Sequence, residues 1–443
     1  MEAARAKLLD TLEGVSTLPK LECIASYNNP KSKSPDYYAR PLYPNPQTPR
    51  TAQWSPDGTC LLTTSADGTL ETFVLPSDLL TSETKPLELK PYSTLSNAEP
   101  VYSTAVYPHF QLEDFSTTLI LNAKKETPIQ LTNALAHDAG IYASFPVINT
   151  KTEEYMPTHS MIFTPDSNHF IAGGRSMYVV FDINRNGEPP MKRQRTGHRS
   201  KGLKSMENVT GPKSVISTLD ISCDGVLALG TFNREIGLYE DGGKGQNITS
   251  FNVREVPSQQ HNVLGHGITQ VKWSPCGKYL FVTERRGKGI AVWDVRTLHR
   301  KVAFLEGVPG KTNVRSGFDV VRNGGGCEVW AGGEDGKVRI WGDATQKEGF
   351  VSCDASWDVH DGIVAETLVH RSGSVLATLS ERNRSEQLYD NSESPSSGSD
   401  CSTSNDERAT GDGNNKLSPQ ADTARQTQKA SREDAMLKIW SIK

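Results

Sequence analysis

The chain lacks the features of a membrane, secreted or strongly basic protein. Its 443 residues contain no run of 18 apolar residues, and its first five residues do not resemble a secretory signal. We therefore expect a soluble, intracellular protein. Lys and Arg number 48 and Asp and Glu number 52, which gives a net charge of −4. Any contact with nucleic acid must then come from a local basic patch.

Cysteine is scarce and scattered, and enzyme signatures are missing. The seven cysteines form no Cys-x-x-Cys pair, so we expect reduced thiols and neither a disulfide framework nor a zinc site. Gly-x-Ser-x-Gly, His-Glu-x-x-His and paired-carboxylate patterns do not occur. Residues 305–312 resemble a phosphate loop only at their end, because Leu305 stands where the first glycine is required. The sequence predicts a non-enzyme without a metal or cofactor.

A short hairpin pattern recurs along the chain. Its clearest copy is 332–341, in which Asp335-Gly336 separates small residues from an alternating strand that ends on Trp341. An Asp-Gly pair suits the positive backbone angles of a tight hairpin turn. Residues 65–73 and 287–294 repeat the pattern. Units of short strands repeated at roughly 40–50 residues are typical of a β-propeller.

The repeats predict an all-β fold, a seven-bladed WD40 β-propeller. Its residues are 21–380 plus 435–443, after an N-terminal extension at 1–20. We expect the strand near 21–27 to complete the last blade and close the ring, because closure removes a free edge. Residues 381–434 are acidic, Ser-rich and almost without apolar residues, which predicts a disordered insertion in that blade. We interpret it as a solvated spacer, with a phosphorylated, partner-binding segment as the alternative.

Five residues are expected to form the structural hydrogen-bond network of the WD repeats. They are His266, Trp293, Asp294, Asp335 and Trp341. Buried polar side chains need such partners, and His and Asp of one repeat are expected to be buried together. A metal-binding or catalytic role for His266 is the less favoured alternative.

One basic segment stands out against the slightly acidic chain, in the connection between blades three and four. Such a segment can contact the phosphates of RNA, serve as a nuclear import signal, or be an ordinary solvated loop, and all three interpretations remain open. The candidate RNA-binding residues are Lys192, Arg193, Arg195, Arg199, Lys201 and Lys204.

Several motifs in order resemble the telomerase Cajal body protein family, whose WD40 propellers bind small nuclear RNAs. The more specific ones are Glu-x-Pro-Ile at 126–129 and Asn-x-Arg-x-x-Phe-Asp at 313–319. Other matching stretches are 51–63, 159–166, 234–239, 265–269 and 293–296. The resemblance covers most of 50–380.

The resemblance implies a nuclear adaptor that binds a small nuclear RNA or its ribonucleoprotein. Leu131-Thr132 replaces the family's Trp-Asp in blade two, and the N-terminal low-complexity region is short. These departures favour a role in pre-mRNA splicing or small nuclear RNA localisation over telomerase RNA trafficking, which remains an alternative. The partners are then a small nuclear RNA or ribonucleoprotein proteins, and other protein subunits on the propeller face, with no membrane. A protein-only WD40 scaffold is the other hypothesis.

Overall fold

The structure is a computed structural model. It describes residues 19–28, 49–65, 67–82, 85–197, 211–254, 265–297, 300–310, 314–381 and 436–443. These residues belong to one of two compact units, Met1–Arg382 together with Ala435–Lys443. The other unit, Asn383–Asp434, contains none of them. No helix among the described residues is long and apolar enough to cross a membrane.

The described unit is all-β and consists of seven sheets, which confirms the predicted seven-bladed propeller. In every blade the strands run antiparallel from an inner to an outer position. The inner strands are Pro49–Trp54, Val101–Val106, Ser160–Phe163, Ile216–Ile221, Ile268–Trp273, Phe318–Asn323 and Ile363–Val369. The second strands are Cys60–Ser65, Leu119–Lys124, His169–Gly174, Leu227–Thr231, Tyr279–Glu284, Gly326–Gly332 and Val375–Glu381.

The outer half of each blade is built the same way. The third strands are Leu70–Val74, Ile129–Asn133, Met177–Asp182, Glu235–Tyr239, Gly289–Asp294, Lys337–Trp341 and Leu437–Ile442. The outer strands are Ser93–Leu95, Ile141–Phe145, Lys192–Arg195, Asn247–Asn252, Arg300–Glu306, Ala355–Asp358 and Leu21–Tyr27. Two short strands, Gly349–Val351 and Leu87–Glu88, add parallel pairs outside blades five and seven. The described 3₁₀ turns are His137–Ala139, Asp241–Gly243 and Val295–Thr297.

The hairpin turns have the backbone geometry that the Asp-Gly pattern predicts. Gly336 has a φ of 73° and Gly68 a φ of 88°, values that favour glycine because it lacks a Cβ. A side chain at Gly336 would also meet the carbonyl oxygen of His360 at 2.0 Å. The turn and its contact with the next inter-blade connection therefore both require glycine at this position.

Blade seven joins the two ends of the described chain. Leu21–Tyr27 pairs antiparallel with Leu437–Ile442, with Leu21 opposite Ile442 and Tyr27 opposite Leu437. Lys20 and Lys443 extend this pairing, because each backbone N–H donates to the other's carbonyl oxygen at 3.0 Å or less. The N-terminal strand is thus the outer strand of the last blade.

Most of the predicted insertion at 381–434 lies outside the described residues. The exception is Glu381, which the sequence assigned to the insertion but the structure places at the end of a strand. It is 6% exposed in Val375–Glu381 and pairs with Ile363. The strand continues because its neighbour in blade seven supplies a backbone partner at this position.

The core lies between neighbouring blades. Between blades two and three, Phe145, Phe170 and Phe181 are essentially buried, and the Phe170 and Phe181 rings stack at 5.2 Å between centroids. Each blade thus buries an apolar face against the next, so the blades stabilise one another.

Polar side chains of the inner strands link one blade to the next. Asp220 in blade four accepts a hydrogen bond from the backbone N–H of Trp273 in blade five at 2.6 Å. Asp319 in blade six likewise accepts one from Val369 in blade seven at 2.9 Å. The two carboxylates thus provide acceptors for backbone N–H groups on the inner strand of the next blade.

Two inner-strand carboxyl groups have raised pKa values because they are buried. Burial raises the pKa of Glu366 in blade seven to about 7, with Arg315 and Lys272 acting in the opposite direction and Asp319 adding to the rise. Burial likewise raises the pKa of Asp220 to about 6. Both groups therefore bind protons in the folded protein at pH values where an unfolded chain would release them.

We expect Glu366→Gln to make stability less dependent on pH. The wild-type carboxyl group favours folding below its unfolded pKa of about 4.3, and this contribution is lost as pH rises through its folded pKa of about 7. Between about pH 5 and pH 8 the wild type should lose on the order of 1–3 kcal/mol of unfolding free energy relative to the variant. Urea unfolding at four pH values measures this difference. If unfolding free energy changed with pH in the same way for both proteins, the raised pKa of Glu366 would be contradicted. Asp220→Asn should have a similar effect at lower pH, because the pKa of Asp220 is raised only to about 6.

The structure does not bring His266 and Asp294 together. His266 is exposed and precedes the inner strand of blade five, whereas Asp294 ends the third strand. These positions lie at opposite ends of the blade, because the two strands run in the same direction. Asp294 instead accepts hydrogen bonds from Arg296, which lower the pKa of its carboxyl group. The prediction that His266 and Asp294 are buried together is therefore wrong.

The other residues of the expected network make separate contacts. Asp335 binds the guanidinium of Arg339, with Nη1 to Oδ1 at 3.0 Å. Trp341 is fully buried and its Nε1 donates to the carbonyl oxygen of Val351 at 3.2 Å. Trp293 is 3% exposed and packs against Phe251 at 5.2 Å between ring centroids. The two tryptophans therefore act mainly through packing.

A polar network of the expected kind occurs in blade seven. The Thr378 hydroxyl accepts a hydrogen bond from Trp440 Nε1 at 2.9 Å and lies 2.8 Å from His360 Nε2. His360 precedes the inner strand, Thr378 is on the second strand and Trp440 is on the third. One hydroxyl thus joins three segments of the blade that also closes the ring.

We expect Thr378→Val to destabilise the protein by about 1–3 kcal/mol, because it removes the buried hydroxyl that Trp440 Nε1 and His360 Nε2 contact. Thermal or urea unfolding measures the loss. Thr367→Val is the matched control: both threonines are fully buried, but the Thr367 hydroxyl has no hydrogen-bond partner among the described residues. It should be neutral or slightly stabilising. Equal losses for both variants would show that the network contributes nothing beyond packing.

Candidate nucleic-acid interface

The first part of the predicted basic segment is a strand and not a loop. Lys192–Arg195 is the outer strand of blade three, with Lys192 opposite Val180 and Arg195 opposite Met177. The sequence did not predict this strand because none of its residues is apolar. An outer strand needs only one hydrogen-bonded neighbour, and charged side chains at such an edge also discourage pairing with other chains.

Lys192 is a structural contact between blades three and four. Its ammonium group donates to the carbonyl oxygens of Gly243, Lys244 and Gly245 at 3.1, 2.8 and 2.6 Å. It also lies 5.9 Å from the centroid of the Tyr178 ring. Burial lowers the pKa of this amine. Because its three donors are already used, Lys192 is poorly placed to bind phosphate.

The other candidates differ in position. Arg193 and Arg195 are exposed on the outside of blade three, and Arg193 donates to the carbonyl oxygen of Ile148 at 2.9 Å. Arg199, Lys201 and Lys204 lie outside the described residues. The described chain on either side of them ends at Gly197 and resumes at Gly211.

These flanking residues belong to a continuous row of turns at one end of blades three to five. Ser176, in the turn between the second and third strands of blade three, donates its backbone N–H to Ser214 at 2.7 Å and accepts one from Thr196 at 2.9 Å. Phe232, in the corresponding turn of blade four, donates to Val215 at 3.1 Å. The segment 211–215 thus connects the turns of blades three and four.

The row continues into blade five. Arg285 donates its backbone N–H to Gly267 at 2.8 Å and accepts one from His266 at 2.7 Å. Gly267 has a φ of 122°, and a Cβ there would lie 2.8 Å from the carbonyl oxygen of Phe232. The turns of blades four and five are therefore in contact through this glycine.

We call the following side chains of these turns the basic face: Arg175, Lys213, Arg285, Arg286 and Lys288. All are exposed except Arg285, which is partly buried. The acidic residues described in the same turns are Glu235 and Glu284. Glu235 accepts the backbone N–H of Lys213 at 3.1 Å, and Glu284 is bound to Arg234. The basic face is therefore a local positive patch on a chain of net charge −4.

An ion pair holds the turns of blades four and five together. The Arg234 guanidinium binds both carboxylate oxygens of Glu284, with Nη2 to Oε2 at 2.7 Å. Arg234 is 7% exposed, so this charge stabilises the turns and is not presented to solvent. A bidentate pair of this kind fixes orientation as well as distance.

An aromatic residue on this face was not predicted from the sequence. Phe232 is 42% exposed, and the Arg285 guanidinium carbon lies 5.5 Å from its ring centroid. The signal in the sequence was a Phe-Asn-Arg turn where polar residues are the norm. Basic side chains bind phosphate and aromatic rings stack on bases, so this combination suits RNA. No group of three metal-ligating side chains occurs in the part of the chain that the structure describes.

Comparison with known proteins agrees with the fold. The family model "WD domain, G-beta repeat" matches residues 47–71 and 257–294. Guanine nucleotide-binding protein negative regulator 1 of Schizosaccharomyces pombe is 30% identical over 294 residues, which are 66% of this chain and 69% of the relative.

Telomerase Cajal body protein 1 is also similar. The Bos taurus protein is 26% identical over 340 residues, 74% of this chain and 56% of the relative. The Mesocricetus auratus protein is 26% identical over 303 residues, which are 65% of this chain and 49% of the relative. The chain thus spans about half the length of these two relatives. It belongs to the family of WD40 propellers that includes Guanine nucleotide-binding protein negative regulator 1 and Telomerase Cajal body protein 1.

Proposed function

We propose that this chain is a nuclear adaptor that binds a small nuclear RNA or its ribonucleoprotein through the basic face. The observation that carries the proposal is the local positive charge of adjoining turns in blades three to five. Basic side chains on one surface release counterions from RNA phosphates, which supplies most of the affinity. Lys192 contributes indirectly, since it holds blade three against blade four.

The relatives support the cellular setting of this proposal. The name Telomerase Cajal body protein 1 describes a protein of a nuclear body, at 26% identity to this chain. We therefore propose a nuclear location, and a role in pre-mRNA splicing or small nuclear RNA localisation, with telomerase RNA trafficking as the alternative. Arg199, Lys201 and Lys204, in the connection between Gly197 and Gly211, would add RNA contacts or act as an import signal.

A protein-only scaffold is the second candidate. The name of the Schizosaccharomyces pombe relative refers to a guanine nucleotide-binding protein and not to RNA. On this chain Phe350, 44% exposed, lies beside Phe304 outside blade five, where it could meet a protein partner. A protein-only scaffold, however, would not need a positively charged surface whose acidic residues, Glu235 and Glu284, already have hydrogen-bond partners.

Charge reversal should separate the two candidates. We expect the combined change of Arg175, Lys213, Arg286 and Lys288 to Glu to weaken binding of a small nuclear RNA by roughly tenfold or more at 0.15 M salt. The slope of log affinity against log salt should fall by about 0.7–0.9 for each phosphate that the variant no longer neutralises. Fluorescence anisotropy over a salt series measures both quantities.

The matched control reverses four exposed basic residues at the opposite end of the blades, three in turns and Arg322 near the end of an inner strand: Arg185, Lys278, Arg322 and Arg371. Its affinity and slope should remain close to those of the wild type. RNA crosslinked to the protein in cells should be enriched in one class of small nuclear RNA. Recovery at background level from the wild type, with no affinity in solution, would rule out direct RNA binding and leave the scaffold.

A further inference from the structure

We propose that Phe232 and Arg285 form a stacking platform for one unpaired base of the bound RNA. This inference rests on the proposed function and assigns a separate task to two of its residues. The phosphates would contact Arg286, Lys288 and Lys213, while the base would lie against the platform. The platform would thus give the basic face a preference for single-stranded RNA.

Phe232 contributes little to the core. It lies in the turn between Leu227–Thr231 and Glu235–Tyr239, 42% exposed, and belongs to none of the buried hydrophobic clusters that separate the blades. An aromatic ring held in water at the tip of a turn gains little from folding. Its exposure on a positively charged surface is the arrangement that single-strand RNA-binding proteins use.

The platform has a fixed backbone. The N–H of Phe232 donates to Val215, and the turn that carries it ends at Arg234, whose guanidinium is clamped by Glu284. Arg285 follows Glu284 directly, and its own N–H and carbonyl are bound to Gly267 and His266. Little backbone entropy of these turns remains to be lost on binding, which favours affinity.

The geometry also suits a base beside the ring. The Arg285 guanidinium carbon lies 5.5 Å from the Phe232 ring centroid, within the range of a cation–π contact. A planar guanidinium, like an aromatic ring, can stack on an unpaired base. Arg286 and Lys288 follow in the same turn, one and three residues on, and both are exposed. One short stretch of chain therefore offers a base contact and phosphate contacts together.

Phe232→Ala tests the platform. We expect its affinity for a labelled single-stranded RNA of about ten nucleotides to fall by about 5- to 100-fold, the loss typical of one stacked base. The salt slope should not change, because no charge is removed. Binding of an RNA duplex of equal length should not change either, since paired bases cannot stack on the ring. Phe232→Tyr keeps the ring and should bind like the wild type.

The chain offers a matched control in Phe350→Ala. Phe350 is 44% exposed, and the Lys301 ammonium lies 5.7 Å from its ring, but it is on the outside of blade five. This variant should bind RNA like the wild type, and unfolding curves should show that all variants are folded. Unchanged RNA affinity for Phe232→Ala, with loss after reversal of the basic face, would overturn the platform and leave the proposed function standing.

Two other results have distinct meanings. If the wild type binds no RNA, the proposed function fails and the platform fails with it. If Phe232→Ala keeps its RNA affinity but loses a co-purifying protein, Phe232 belongs to a protein interface and the platform is overturned.

Discussion

The pairing of the first and last described strands is the constraint on which the propeller depends. Leu21–Tyr27 completes blade seven only by pairing with Leu437–Ile442, which follows the second strand of that blade by 55 residues of chain. The ring is therefore closed by backbone hydrogen bonds between distant segments and not by a covalent link. The network around Thr378 lies in the same blade, so the closing sheet also has a buried side-chain hydrogen-bond network. Closure removes the free edge that an open ring would expose.

A closed ring turns inter-blade contacts into a fixed surface. Asp220 and Asp319 each tie an inner strand to the next blade, and Arg234 with Glu284 does the same near the turns. Because the turns of blades three and four are anchored to the next blade and the turn of blade five is bound to Gly267, the charges of the basic face keep their spacing. The cost is that carboxyl groups such as Glu366 are buried with a raised pKa, which links stability to pH.

The sequence was sufficient for the architecture because the turns demand particular residues. Asp335-Gly336 predicts a hairpin through the positive φ that glycine allows, and alternation predicts the strands beside it. Prediction from the sequence failed where the structure depends on residues that are distant along the chain. Lys192–Arg195 forms a strand because Met177–Val180 lies beside it, which no local pattern reveals. His266 fits a repeat motif, yet the polar network formed in another blade. Phe232 was missed because exposure is a property of the folded surface.

In the proposed complex with RNA, charge and stacking would contribute separately to recognition on the basic face. The chain is acidic overall, so attraction to RNA must act at short range, within a Debye length of about 8 Å at physiological salt. Phosphate contacts of this kind hold any RNA and carry no information about its sequence. An exposed ring beside an arginine adds what charge cannot, because only an unpaired base presents a free face to it. Selection between RNAs would therefore depend on where a structured RNA exposes such a base, while the basic side chains set how tightly it is held.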